Sequence, residues 1–304
     1  MRSYDARYLA VREAYRVLDT HRRPGIKTLP EIAQRLNAWE GSGETVLLIL
    51  KEKPNHDYRD TKDFGIEHRS LQYLIRPLLQ AQAKLHPNQY GLVGTDKALL
   101  RVAGLMTQGY TWARETDLTD CYSSFDGEKV PGLLPLPKKV TQRCLLCSSL
   151  NLSLGPNSIF GPEDYEGQNK LVFPELFSDA QRGFPQGSAT SALAIEMLLA
   201  PVFEQLPKIG EYVGYSDNTL AMAKNKKDVA SMNKALWSAL EAHPAGHLRP
   251  KLTGKFSPGQ PIDFLGHRLT WRAVGISKIA GTVRPCAALP PVLHSPEIKK
   301  EAAN

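Results

Sequence analysis

Long apolar runs are missing from this 304-residue chain. No stretch approaches the roughly 20 continuous apolar residues of a membrane-spanning helix, and Met1-Arg2-Ser3-Tyr4-Asp5 lacks the apolar core of a secretory leader. The expectation is a cytoplasmic protein with no membrane partner. Cysteine is scarce as well. Cys121, Cys144, Cys147 and Cys286 are too few and too irregularly spaced to staple a chain of this length, which argues against a disulfide scaffold and suits a reducing compartment. Cys144-x-x-Cys147 and His243-x-x-x-His247 mimic zinc-ligand spacings, but about a hundred residues separate the pairs where roughly 12 to 15 are expected. Cys144-Leu145-Leu146-Cys147 reads more naturally as a buried apolar helix segment whose cysteines act as small hydrophobes. No internal repeat is present.

Enough apolar material remains for a sizeable core: 42% of residues are hydrophobic and 8% aromatic, which suits one large or two modest globular domains. The formal charge is +7, and acids are thin toward the end of the chain. From Gly246 onward, nine lysines and arginines face only three acids, an excess of six. Such an end suits phosphate backbones, because each neutralised phosphate releases counterions. It also suits a merely soluble basic surface.

Helical spacing at Leu9, Tyr15 and Leu18 and again at Leu29, Ile32 and Leu36, broken at Pro24-Gly25, predicts two helices before the turn at Gly41-Ser42-Gly43. Thr45 to Leu50 is a short β-branched run that predicts a buried strand. A basic stretch containing Arg59, Lys62 and Arg69 leads into a helix through Leu71, Leu74, Ile75, Leu78 and Leu79. Its cations can grip phosphate oxygens, or simply face solvent. Residues 126–182 carry Pro, Gly and Asn clusters, a helix around Val140 to Leu150 and a hairpin near Ile159 to Phe173. Pro290-Pro291 and Ser295-Pro296 mark a poorly ordered tail.

Three segments concentrate the chemistry. Asp117 stands at the end of a strand with Tyr122 five positions on. Gly183-Phe184-Pro185-Gln186-Gly187-Ser188-Ala189-Thr190-Ser191 forms a constrained loop, with Ser188 and Ser191 placed to cap a helix over Ala192 to Leu206 that Pro201 would kink. Tyr212 to Met222 alternates as two strands joined at Ser216-Asp217-Asn218. Each piece alone also reads as an ordinary turn, junction or hairpin.

In this order the three segments resemble motifs A, B and C of a template-directed polymerase palm, specifically that of a reverse transcriptase. His86-Pro87-Asn88-Gln89-Tyr90-Gly91-Leu92-Val93-Gly94 resembles the fingers segment of group II intron-type and retron-type members, and abortive-infection types are similar. Arg249-Pro250-Lys251-Leu252-Thr253 resembles the motif D loop, and Ile262-Asp263-Phe264-Leu265-Gly266-His267 the Phe-Leu-Gly hairpin that holds a primer end. The resemblance implies an α+β fold of right-hand fingers and palm, a ferredoxin-like palm sheet with helices and a short or absent thumb. Its divisions would be a helical extension over 1–40, fingers over 41–110, palm over 111–272 with further fingers elements within 126–182, and a short basic tail over 273–304.

The resemblance also implies RNA-directed DNA polymerase activity. Asp117 and Asp217 would hold Mg²⁺ or Mn²⁺, Lys251 would protonate pyrophosphate with Lys255 in reserve, and Tyr122 would exclude a ribose 2′-hydroxyl. Gln186, Gly187, Arg59 and Arg69 would meet the nucleotide, and Pro185, Ser188, Phe264, Leu265 and Gly266 the primer-template. The partners implied are an RNA template, a DNA or RNA primer and dNTPs, with a structured RNA or accessory protein as further candidates. Retroelement and antiviral-defence settings are equally open. One position departs from the pattern: Asn218 stands where the family has Asp. That implies reduced activity, or a catalytically silent palm that binds RNA or a protein partner.

Overall fold

Alternating burial along Trp112–Thr119 (β3) and Arg249–Phe256 (β7), with two short apolar strands between them, Glu211–Tyr215 (β5) and Asn218–Ala223 (β6), builds the sheet that organises the chain. A computed structural model describes residues 2–52, 58–156, 158, 172–270 and 275–278. The fold is α+β. The sheet order is β5-β6-β3-β7, and every neighbour is antiparallel. One helix, Ser191–Gln205, lies in the chain between β3 and β5, and another, Lys226–Glu241, between β6 and β7. Strand, helix, two strands, helix, strand, with the first strand between the third and fourth, is the split βαβ arrangement.

The elements before this unit are helices α1 (Tyr4–Val17) and α2 (Leu29–Arg35), strands β1 (Thr45–Glu52) and β2 (Tyr58–Asp63), and helices α3 (Ile66–Gln82) and α4 (Thr95–Thr107). After β3 come the short α5 (Cys121–Ser124), α6 (Lys138–Leu145), strand β4 (Asn151–Leu154) and α7 (Val172–Ala180). The two helices of the split unit are α8 (Ser191–Gln205) and α9 (Lys226–Glu241). Strand β1 pairs antiparallel with β2 and parallel with β4 in a second sheet, and β8 (Ile262–Phe264), β9 (His267–Thr270) and β10 (Gly275–Lys278) form a third. Among the described residues no helix is long and apolar enough to cross a membrane.

Both faces of the central sheet are packed. Leu118, Tyr212, Ala221 and Ala223 meet Leu199 and Val202 of α8 and Met232 and Leu236 of α9 in the main core. Ala113, Val213, Leu220 and Met222 meet Leu99 and Val102 of α4 and Ile262, Phe264 and Leu269 on the other face. Fully burying a leucine or methionine contributes about 1.5–3 kcal/mol, and in β6, buried at five of its six positions, Leu220 and Met222 each make that contribution.

Several expectations need correction. The helix foreseen to Leu150 stops at Leu145, because Leu146 is extended (φ −109°, ψ 146°) and Ser149 Oγ turns back to within 2.8 Å of the Gln142 carbonyl. The hairpin foreseen at Ile159 to Phe173 lies outside the described residues except at its end, where Val172 opens α7. The tail from Pro285 also lies outside them. Arg249 to Thr253, foreseen as a loop, is strand, since β3 offers it a full edge of partners.

Candidate active site

The registers of three strand pairs set one row of side chains across the sheet. Tyr215 pairs with Asn218, Asn218 with Asp117, and Asp117 with Lys251, so these four residues of β5, β6, β3 and β7 share one face. The row lies on the face that α4 covers farther along at Ala113 and Met222. A bulge between Glu115 and Thr116, opposite Thr253, brings Lys251 into the row. In a regular, unbulged register Lys251 would fall opposite Leu118 and turn to the face that packs on α8 and α9.

Asp217 sits in the two-residue turn between β5 and β6, and its carbonyl accepts the Leu118 N–H (3.0 Å). The turn therefore rests on β3 one residue beyond Asp117. Burial raises the Asp117 carboxyl above its ordinary range, the charge of Asp217 raises it further, and Lys251 opposes both. Burial likewise raises Asp217, against its own backbone N–H, the Asn218 amide and the Arg59 charge. Asn218 Nδ2 donates to Asp217 Oδ1 (3.1 Å), so the neutral neighbour occupies one lone pair of the carboxylate.

Two crowded carboxylates with raised proton affinity suit a divalent cation, which would relieve their repulsion. Mg²⁺ is commonly held by one or two carboxylates, with phosphate oxygens and water completing its octahedron, and this donor set fits it. Among the described residues no group of three or more His, Cys, Asp or Glu side chains is arranged to hold a metal. Cys144 and His243 are committed elsewhere, Cys144 Sγ to the Ala38 carbonyl and His243 Nε2 to that of Leu198.

Around the pair, the Tyr122 phenol is raised by burial and by nearby Cys121 and Asp217, while a hydrogen bond with the Ser216 side chain opposes the rise. Tyr122 thus packs beside the Asp217 turn. Its carbonyl accepts the Phe184 N–H (2.8 Å), which ties the loop at 183–190 to α5. The Gln186 carbonyl accepts the Lys62 N–H (2.8 Å), and a Cβ on Gly187 (φ +97°) would stand 2.5 Å from the Lys62 carbonyl, so the loop lies directly along β2. Neither serine caps α8: its N-cap is Thr190, Ser191 Oγ donates to the Pro185 carbonyl (2.9 Å), and Ser188 Oγ accepts the Thr190 N–H (3.2 Å). These hydroxyls tighten the loop on itself instead.

A cleft of about 1120 Å³ opens beside the loop, lined by Arg59, Asp120, Lys129, Arg182, Gln186, His247 and Arg249 among others. Asp117 and Asp217 are not in its wall. It adjoins them through Asp120, three residues beyond Asp117, and through Arg59, whose charge reaches Asp217. Arg69 is drawn instead to Asp63 (3.6 Å), which Arg22 also contacts, and Lys62 is buried against Asp60. Arg69 is therefore committed to holding the end of β2. Phe264, Leu265 and Gly266 form the β8–β9 hairpin. Leu265 and Gly266 both take positive φ (51° and 72°), the type I′ pattern, and Phe264 is buried against the α4 side of the sheet.

Sequence reading missed Glu196. This buried residue of α8 receives the Ser216 N–H at Oε1 (2.9 Å) and Gln89 Nε2 at Oε2 (2.6 Å), while Gln89 also donates to the Glu196 carbonyl (2.8 Å). A lone carboxylate inside the apolar run Leu193 to Leu199 was the available signal. Burial raises its pKa from 4.5 to about 7, against bonds from Ser216, Gln89 and Gly91 and with help from the Asp217 charge. The folded carboxyl thus holds its proton more tightly than the unfolded one. The stability this gives is full below pH 4.5, falls as pH climbs to about 7, and is then gone. Urea unfolding in EDTA at pH 5 and pH 8 should show a loss of up to about 3 kcal/mol from this group, missing in Glu196→Gln. Equal pH dependence in the two proteins would refute the assignment.

No protein family matches the sequence, and no curated protein is similar enough to count as a relative. Solved structures of similar shape include apo telomerase from Candida tropicalis truncated from its C-terminal domain (TM-score 0.46, 11% identity, covering 77% of this chain and 55% of that one). Telomerase from Candida albicans in complex with a TWJ fragment of telomeric RNA gives TM-score 0.45 and 11% identity over 81% of this chain and 47% of that one. Apo telomerase from Candida tropicalis gives 0.45 and 10% over 77% and 48%. The chain spans about half the length of each. At these scores the likeness is one of coarse shape alone.

Proposed function

We propose that the chain is a template-directed nucleotidyltransferase of the reverse-transcriptase kind, which adds dNTPs to a primer on an RNA template. The observation that carries this reading is the placement of Asp117 and Asp217 together at the β3–β6 junction, with Lys251 in the same row. Asp117 and Asp217 would hold Mg²⁺ or Mn²⁺, which when bound stabilises the attacking and leaving oxygens of an in-line displacement at phosphorus. Lys251, paired across from Asp117, is the donor suited to protonate departing pyrophosphate. Tyr122 packs beside the Asp217 turn, where it would meet the sugar, and the backbone of Gln186-Gly187 would line the nucleotide's approach. Arg59 in the adjoining cleft offers a guanidinium fork to phosphates, and Arg249, paired with Asp120 at 3.1 Å, would join it only by leaving that carboxylate.

The Asn218 amide on Asp217 favours a second reading, a palm retained for binding RNA or a protein partner without synthesis. Asn218→Asp separates the two. It restores a negative charge in the row and should raise Mg²⁺-dependent incorporation about tenfold, or about 1.4 kcal/mol of barrier. A variant as silent as a silent native chain, with RNA binding intact in both, favours the binding palm.

A further inference from the structure

The turn that carries Asp217 is not held by the sheet alone. Ser216 has φ 55°, the left-handed conformation that the first residue of a two-residue hairpin turn takes, which a non-glycine residue keeps only where its surroundings hold it. The enforcing group is visible: Glu196 Oε1 accepts the Ser216 N–H at 2.9 Å. The other oxygen is fixed by Gln89 Nε2 at 2.6 Å, and Gln89 holds the Glu196 carbonyl as well. The segment bearing Gln89 is itself clamped to β5, since the Tyr90 N–H donates to the Gly214 carbonyl and the Gly214 N–H to that of Asn88, both at 2.7 Å. Thr95 Oγ1 reaches the Tyr215 hydroxyl at 3.1 Å from the same side. A helix of the split unit and a segment some hundred residues earlier thus converge on one side chain beneath the turn.

We propose that Glu196 is the positioning residue of the Asp217 turn: its carboxyl locks Ser216 in the left-handed conformation and so aims the Asp217 carboxylate at the metal position beside Asp117. This rests on the nucleotidyltransferase reading for its use, though not for its geometry. Glu196 does not touch substrate or metal. It acts through Ser216, as outer partners of metal ligands do when they fix ligand orientation, and loss of such a partner typically weakens metal binding by about 10- to 100-fold.

The test uses the full chain and Mn²⁺ as probe, with bound metal read by electron paramagnetic resonance and local order by amide hydrogen exchange over residues 211–223 without metal. Glu196→Ala should weaken Mn²⁺ binding at least about tenfold and speed exchange at residues 216–218 more than in β6 or α9. Glu196→Gln combined with Gln89→Glu keeps an acceptor for the Ser216 N–H, reverses the bond between the two side chains so that two amide donors do not meet, and serves should the alanine variant fail to fold; it should stay within about threefold of native on both readouts. Native Mn²⁺ affinity and native exchange at residues 216–218 in a folded Glu196→Ala would overturn the proposal. So would a paired Glu196→Gln, Gln89→Glu variant as impaired as a folded Ala one, since no rescue would then follow from the acceptor. If the native chain takes up no Mn²⁺, the nucleotidyltransferase reading fails, while the exchange comparison still decides whether Glu196 orders the turn.

Discussion

Asp217→Ala is expected to lower primer extension by at least about 10³-fold, or about 4 kcal/mol of barrier, while the protein stays folded. The separation of effects follows from where the residue sits. Its side chain belongs to a turn and is only partly buried, so its removal opens no large core cavity. The anchoring bond of the turn is a backbone bond, from Leu118 N–H to the Asp217 carbonyl, and survives the substitution. Removing Asp217 also takes a like charge away from Asp117, whose proton affinity it raises, so melting temperature should hold or rise slightly. What is lost is half of the carboxylate pair that would hold the metal. Extension within tenfold of native would show that the pair is not where catalysis occurs.

Gly183→Ala is expected to cost about 2–5 kcal/mol of stability, combining a left-handed residue with overpacking. Gly183 has φ +59°, and an added Cβ would lie 2.0 Å from the Tyr122 carbonyl oxygen and 2.9 Å from Ser123 Cα. Both are backbone atoms, so no rotamer change can make room. The strain falls on a junction held by two bonds, Phe184 N–H to the Tyr122 carbonyl at 2.8 Å and Cys147 N–H to the Gly183 carbonyl at 2.9 Å. Phe184, fully buried edge-on to Phe125, would shift with them. Because the same junction seats Tyr122 beside Asp217, activity should fall along with stability. Urea unfolding measures the first effect, and a loss under about 1 kcal/mol would mean that α5 and the loop separate without cost.

The parts legible in the sequence are those whose chemistry is local. A β-branched run, two alternating segments around Ser216-Asp217, and a loop rich in Gly and Pro before an apolar helix each specify their own conformation, and β1, the β5–β6 hairpin and α8 fall where those patterns lie. The side-chain row was not legible. It depends on the registers of β3 with β6 and β7, including a bulge at Thr253 that nothing in the neighbouring residues announces. Arg69 shows a different limit: a cation beside a phosphate-binding candidate looks free in sequence, yet Asp63 at the end of β2 draws it, and the distant Arg22 meets the same carboxylate. The serines at 188 and 191 were given the commonest task for their type, whereas the tight loop turns their hydroxyls toward its own backbone. Glu196 went unread because an acid inside an apolar helix acquires meaning only once Ser216 and Gln89 are known to surround it.

Primer extension on an RNA template with dNTPs tests the central claim most directly, run in Mg²⁺, in Mn²⁺ and in EDTA with the native chain and Asp117→Ala side by side. Metal-dependent extension by the native chain that vanishes in EDTA and in Asp117→Ala is the predicted result. Failure to extend in either metal, or extension that persists in Asp117→Ala, would contradict it.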